Sequence, residues 1–183
     1  MTSPAAAQDG VSLVDCDEAR HASAILAILN EAIVNSTALY DYAPRPPQAM
    51  AGWFAAKRAS GFPVVGAIDA AGDLLGFASW GTFRAFPAYK YTVEHSVYVH
   101  PEQRGRGLGK LLMQELIRRA GQAQLHVLVG CIDATNTASI RLHTGLGFKH
   151  AGTIAQAGFK FGRWLDAAFY QLNLQTPLQP QDG

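Results

Sequence analysis

Apolar positions recur along this chain in two rhythms, and the alternation between them sketches the fold. Over 11–16 they crowd into a short run that predicts a strand, and Asp17 then stands where a helix N-cap would. Ala22, Ile25, Leu26, Leu29 and Ile33 follow at helical spacing. The pattern breaks over 35–42, and Pro44, Pro46 and Pro47 predict a stiff loop. A second helix is expected over 48–60, with Met50, Trp53 and Phe54 on one side and Gly61 ending it. Strand texture begins after Pro63. Val64, Val65, Ala67 and Ile68 lead into a turn at 69–73, and 74–83 is the return strand of that hairpin. An aromatic and basic connection over 83–91 precedes a strand at 92–99. A glycine-rich loop then opens a helix that carries Leu111, Leu112, Leu116 and Ile117 and reaches about Gln122. The short apolar run 126–132 reads as a buried parallel strand, because a helical crossover separates it from the strand before. A brief helix over 136–145 and strands at 149–155 and 165–174, joined by a turn-rich loop, complete the pattern. Residues 1–10 and 176–183 are expected to fray, leaving 11–175 as a single domain. The order predicts an α/β fold with a mixed central sheet of about seven strands flanked by about four helices.

Composition narrows the function classes. At 183 residues, 49% hydrophobic and 16% charged, the chain can bury a sizeable core and is not of the disordered type. A formal charge of +1, with no basic run outside the glycine loop, argues against nucleic acid or a membrane surface as the main partner. No apolar run is long enough to span a bilayer. Residues 1–8 lack the basic and apolar regions of a secretory signal, so a cytoplasmic address follows by default. Cys16 and Cys131 cannot make a disulfide framework and lack zinc-ligand spacing. Both are expected to be buried free thiols, remote from the chemistry-bearing motifs, and no metal is expected.

The chemistry gathers around one stretch. Val97, Tyr98 and Val99 end a strand, Pro101 stops it, and Gly105, Gly107 and Gly109 lead into the next helix. Such a loop aims backbone N–H groups at one spot with the positive end of a helix dipole behind them. Arg104, Arg106 and Lys110 add fixed positive charge, so a phosphorylated ligand is expected. A P-loop is excluded, because Arg104 occupies the place of its first glycine and Leu111 follows Lys110. The dinucleotide fingerprint fails as well, because its third glycine would fall at Lys110. Arg104-x-x-Gly107-x-Gly109 does fit a known pattern: it resembles the pyrophosphate loop of the GNAT superfamily of N-acetyltransferases, which bind acetyl-coenzyme A. The order of elements matches what that fold would have.

Two further segments carry candidate chemistry. Asn136 begins a helix, where it can serve as N-cap. The resemblance implies that it also holds the pantetheine arm, and it puts His143 where many members carry a Tyr that protonates the leaving thiolate. Histidine has the pKa to supply or relay such a proton. On the strand before the loop, period-two alternation puts Glu94 and Ser96 on one face and His95 and Val97 on the other. A carboxylate on a central strand is costly unless it is paired or solvated in a cleft. Glu94 is therefore either a base that takes a proton from an ammonium nucleophile, directly or through water, or the structural partner of Arg84 or Lys90.

At closer range, four separated motifs are similar to the phosphinothricin and methionine sulfoximine N-acetyltransferases. They are Arg84-Ala85-Phe86, the 92–99 strand with Glu94-His95-Ser96, the 103–109 loop, and Phe159-Lys160-Phe161-Gly162-Arg163-Trp164-Leu165-Asp166. The likeness spans roughly 13–174. It implies that Arg84, Ala85, Phe86, Glu94, His95 and Ser96 contact the substrate. It further implies that Val97, Tyr98, Val99, Arg104, Gly105, Arg106, Gly107, Leu108, Gly109, Lys110 and Asn136 hold acetyl-CoA. Arg84 could grip an α-carboxylate bidentately, and the strand-end amides could bond the thioester oxygen. The implied reaction is acetyl transfer to the α-amine of a small amino acid by direct attack, with Glu94 as base and His143 as assisting acid, in a homodimer. Leu29-Asn30 and Leu39-Tyr40-Asp41 depart from the Tyr-Asn and Trp-Asn common in relatives. The rival readings are a non-catalytic acyl-CoA sensor, and an acetyltransferase for a protein N-terminus or a polyamine.

Overall fold

Alternation and helical periodicity build what they predict. The computed structural model describes residues 10–182. In chain order the elements are β1 (Ser12–Asp15), α1 (Glu18–Asn35), α2 (Ala49–Ala59), β2 (Val64–Ile68), β3 (Leu74–Thr82), β4 (Thr92–Val99), α3 (Leu108–Gln122), β5 (Val127–Asp133), α4 (Thr137–Gly145), β6 (Lys149–Lys160) and β7 (Arg163–Asn173). Asp17 caps α1 as expected, its carboxylate accepting from the Arg20 N–H at 2.8 Å. The seven strands form one mixed sheet in the order β1-β2-β3-β4-β5-β7-β6. Every neighbouring pair is antiparallel except β4 and β5, whose parallel pairing needs the crossover that α3 supplies.

Two cores sandwich the sheet. On one face Leu108, Leu111, Leu112, Met113 and Leu116 of α3 pack on Val65, Ala67, Ala78 and Trp80. On the other, Ile25, Ile28 and Leu29 of α1 and Met50 and Phe54 of α2 pack on Val64 and Phe77, with Tyr98 beside them. Tyr98 therefore faces α1 and α2. Glu94 and Ser96, at the same parity on β4, share that face, while Val93 joins the α3 core.

The structure departs from the sequence reading in two places. The turn-rich loop expected at 156–164 is instead the far end of a long hairpin. β6 runs on to Lys160, its register slips between Ile154 and Gly158, and the reversal is confined to Phe161 and Gly162, whose φ values are 50° and 71°. What reads as a loop is a bulge: Gln156 has a φ of 53°, and its N–H donates to the Asp166 carboxylate at 2.8 Å. The C-terminal segment expected to fray is tied down across 176–181. Thr176 O pairs with His126 Nδ1 at 2.9 Å, and the Gln181 N–H donates to the Tyr91 hydroxyl at 3.1 Å. Fraying of residues 1–9 lies outside the described residues.

Candidate active site

The glycine loop becomes a cradle for an anion. Gly105 and Gly107 have φ values of 79° and 77°, which residues with a Cβ adopt at a cost of roughly 1–2 kcal/mol. Gly107 is the N-cap of α3, and no side chain caps that end. The first-turn amides of α3 are therefore open to a ligand, with the helix dipole behind them. Gly109 serves differently: a Cβ there would stand 3.3 Å from Leu142, so its bareness lets α3 approach α4. A groove of about 510 Å³ runs from this loop along the end of β4 to the start of α4. Val97, Tyr98 and Val99 form its floor, and Gly105, Gly107, Leu108, Gly109 and Lys110 form one end. Asn136 lines the other side while its Oδ1 accepts the Ser139 N–H at 3.0 Å, so it caps α4 and still borders the groove. Arg104 is on the rim, its guanidinium bonded to Glu31 at 2.6 Å. Arg106 is the exception among the residues expected here: it donates to the Gln103 side chain and does not line the groove.

A second cavity opens where the parallel strands part. β4 and β5 stay in register only through Thr92↔Val127, Val93↔Leu128 and Glu94↔Val129. Beyond Glu94, among the described residues, β4 has β3 as its only strand neighbour, and the peptide groups of its other edge have no sheet partner there. The gap is a cleft of about 270 Å³, bordered by 94–98 of β4, by 130–133 of β5, by 37–40 after α1 and by Asn136, Ser139 and His143. Glu94 reaches it without an ion pair within 4.0 Å. Burial pushes its pKa above the usual carboxylate value, against the opposing pull of the Arg84 charge. Neither Arg84 nor Lys90 forms an ion pair with Glu94, although the Arg84 charge is felt there. Ser96 and His95 also border the cleft.

His95 and His143 plug the inner end of the gap. Their Nε2 atoms are 2.8 Å apart and the rings stack with centroids at 5.1 Å, closed off by Phe148. His143 Nδ1 lies 2.7 Å from Ser139 O, which requires that nitrogen to carry the proton. Neutral His143 therefore accepts through Nε2 from His95, and His95 Nδ1 is left without a partner. Burial, helped by the neighbouring His143, pushes the His95 pKa down to about 3, and burial lowers that of His143 too. Both His143 nitrogens are thus engaged, within the residue that borders the inner end of the cleft.

Cys131 and Asp133, given no site role by the sequence, border the cleft, and one expected trio is absent from it. Cys131, expected to be a buried thiol away from the motifs, is exposed and lines the cleft opposite Glu94. Burial of its sulfur and the nearby Glu94 raise its pKa, which keeps it a thiol. Asp133, nearly buried, accepts from Thr37 Oγ1 at 2.5 Å and from the Thr135 amide and hydroxyl at 2.9 Å each. The hint was there in Asp133-Ala-Thr135, a side-chain turn pattern just before the α4 cap. Arg84, Ala85 and Phe86 do not border the cleft of a single chain. Arg84 stacks on Phe83 and Phe86 is 73% exposed.

A model of the acetyltransferase (GNAT) family matches residues 26–148. The chain belongs to the GNAT acetyltransferase family. An L-methionine sulfoximine/L-methionine sulfone acetyltransferase of Pseudomonas paraeruginosa is 51% identical over 82% of this chain and 87% of its own length. A solved structure from Acinetobacter baylyi ADP1 is 68% identical, with a TM-score of 0.94 over 94% of this chain and 97% of that one. A GNAT phosphinothricin acetyltransferase from Sinorhizobium meliloti, solved with acetyl-CoA, is 35% identical, with a TM-score of 0.88 over 93% of this chain and 92% of that one. Acetyl-CoA is the donor of GNAT enzymes, and this chain's groove fits it on two observations. The uncapped start of α3 offers amides to a diphosphate, and the unpaired edge of β4 offers amides to an extended arm.

Proposed function

We propose that this GNAT enzyme transfers acetyl from acetyl-CoA to the α-amine of a small amino acid of the methionine sulfoximine, methionine sulfone or phosphinothricin type. One observation carries the reading: cleft and groove meet. Val97, Tyr98, Ala38, Asn136 and Ser139 border both, so an amine in the cleft faces whatever acyl group ends the arm in the groove. Glu94 stands on the cleft side of that junction. Its raised pKa suits a base that receives the ammonium proton, directly or through one water, before the nitrogen attacks the thioester carbonyl. Free amides on the edge of β4 at 97–99 would bond the oxygen as its charge grows, and the coenzyme thiolate would leave along the groove. The names of the relatives support the acceptor class. A sensor without catalysis would have no use for an unpaired carboxylate at that junction.

Two copies would pair through the β6–β7 hairpin. Ile154, Phe159, Phe161 and Trp164 are between 47% and 58% exposed there, along a twelve-residue edge strand. An apolar edge of that length is a liability unless covered, and a second copy is the occupant that supplies matching apolar side chains. A cytoplasmic setting fits the donor and the two free thiols; among the described residues no helix is long and apolar enough to cross a membrane.

The experiment is a thiol-release assay with the purified protein and acetyl-CoA. Methionine sulfone, methionine sulfoximine and phosphinothricin are compared with a polyamine and a peptide N-terminus. Turnover on the amino acids at kcat/KM at least about tenfold above the others supports the reading. Preference for the peptide or the polyamine sinks it. Light scattering across a concentration series decides the dimer, and a monomer at all concentrations rejects it.

A further inference from the structure

One wall of the cleft, 37–40, has little backbone support. Among the described residues, the segment 37–42 makes no backbone-to-backbone hydrogen bond. Thr37, Ala38, Leu39 and Tyr40 nonetheless border the cleft. Something else must hold them.

That support comes from the opposite end of the sheet. Lys160, the last residue of β6, is 4% exposed, and its Nζ donates to Ile33 O at 2.7 Å, Ser36 O at 2.9 Å and Leu39 O at 2.6 Å. Three carbonyls at these distances use all three N–H groups of an ammonium; a neutral amine could serve only two. The last turn of α1 contains no basic residue of its own, so Lys160 also supplies the cation that a helix C-terminus favours. A second anchor is the Asp133 carboxylate on Thr37, steadied by Arg163 at 3.3 Å. A third is Tyr42, whose hydroxyl donates to Phe159 O at 2.9 Å. The Tyr40 ring lies over Gly158, where a Cβ would be 2.6 Å from ring carbon Cε2. The bulge in β6 thus makes room for the wall, and the lysine two residues later fastens it.

We propose that Lys160 is a positioning residue for the acceptor: by gripping Ile33 O, Ser36 O and Leu39 O it fixes the 37–40 wall of the cleft and so sets the affinity for the amine. This rests on the reading that the cleft takes the acceptor. Lys160 touches no substrate; it acts through Leu39 and its neighbours. The groove shares only Ser36 and Ala38 with this stretch, so loosening it weakens acceptor binding more than donor binding.

The test is Lys160→Met, which keeps the length and removes the donors, with Lys160→Gln as the milder variant. Steady-state kinetics with acetyl-CoA and methionine sulfone should show the acceptor KM raised about tenfold or more in the Met variant, and the acetyl-CoA KM changed less than about threefold. The Gln variant should show the same split at smaller size. Hydrogen exchange should show the amides at 37–42 opening faster while those of the α1 interior, 22–30, keep their protection. A merely structural role would raise both KM values together or lower only the melting temperature, and that result overturns the proposal, as does unchanged exchange at 37–42. If wild-type protein acetylates none of the acceptors, the reading of the cleft fails, and the exchange measurement still decides whether Lys160 fixes the wall. If neither variant folds, Lys160 supports the whole domain rather than this wall, which also overturns the proposal.

Discussion

Gly130 occupies the first β5 position after the β4–β5 register ends, and Gly130→Ala tests the geometry of the gap. An added Cβ would stand 3.0 Å from His95 Cε1, 3.1 Å from His95 Nε2 and 3.1 Å from His143 Nε2. It would therefore be driven into the 2.8 Å contact between the two imidazoles. Neither ring has room to swing away, because His95, His143 and Phe148 are all 6% exposed or less and pack on one another. The strain can be relieved in two ways. β5 moves outward by a few tenths of an ångström, an overpacking cost of about 1–3 kcal/mol. Alternatively the imidazole contact breaks and leaves a buried N–H without an acceptor, which costs about 1–3 kcal/mol as well. The cheaper route sets the loss, so about 1–3 kcal/mol is expected. For a domain of this size that lowers the melting temperature by roughly 2–12 °C. Cys131 and Glu94 flank the site, so kcat should fall about tenfold through misplacement of the acceptor. The loop at 105–110 is remote, and coenzyme A affinity by calorimetry should be unchanged. A variant that melts within about 1 °C of wild type and turns over normally would show that the gap yields freely, and would refute the argument that the histidine pair is wedged between the strands.

Three other outcomes are expected. Glu94→Gln should cost about 10²–10⁴-fold in kcat. Because burial raises the Glu94 pKa, the acidic limb of kcat/KM in wild type should lie above the ordinary carboxylate range, with activity lost as pH falls through it; an unchanged limb in the variant rejects the assignment. His95 is held neutral in the fold, with a pKa of about 3 against 6.5 for the free side chain. The unfolded chain therefore binds an extra proton below about pH 6.5, and stability should drop by about 2 kcal/mol between pH 7.5 and 5 from this group alone. Denaturant melts across that range should flatten in His95→Phe, and an equal slope in both proteins would count against it. Gly107→Ala places a Cβ at a φ of 77°. It should cost about 1–2 kcal/mol in stability and about tenfold or more in coenzyme A affinity, and retained affinity would mean the diphosphate is held elsewhere.

Legibility in the sequence followed locality. The groove proposed for the coenzyme is lined mostly by one contiguous stretch, 97–110, in which the strand end, the glycines and the helix start follow one another, so spacing excluded two ligand classes and the resemblance supplied the third. β4, Thr92–Val99, and the end of α3 at Gln122 fall where periodicity put them. The hairpin at 149–173 was misread because Gln156, Gly158 and Gly162 carry the composition of a loop, while a bulge and a two-residue reversal keep both strands paired. The cleft was harder still. Cys131 was set aside because nothing near it in sequence resembles a site. It reaches the cleft only because β5 leaves β4 after Val129, and a register that ends midway through two strands leaves no mark in either one's apolar pattern.

The same locality bears on how the two halves of the site can vary. Gly105 and Gly107 gain their geometry from one loop and one helix start, and an added Cβ at Gly105 would meet nothing within 4 Å. Thr37 depends on Asp133 ninety-six residues away, and Leu39 on Lys160 at a separation of 121. The wall proposed for the acceptor is thus a surface segment whose shape is held by two buried charges on distant strands, Asp133 on β5 and Lys160 on β6. Substitutions at 39–41 can therefore alter the shape of the cleft without disturbing the groove, provided the anchors beneath them stay. A change in an anchor has the opposite character, because it unsettles every residue of the wall at once.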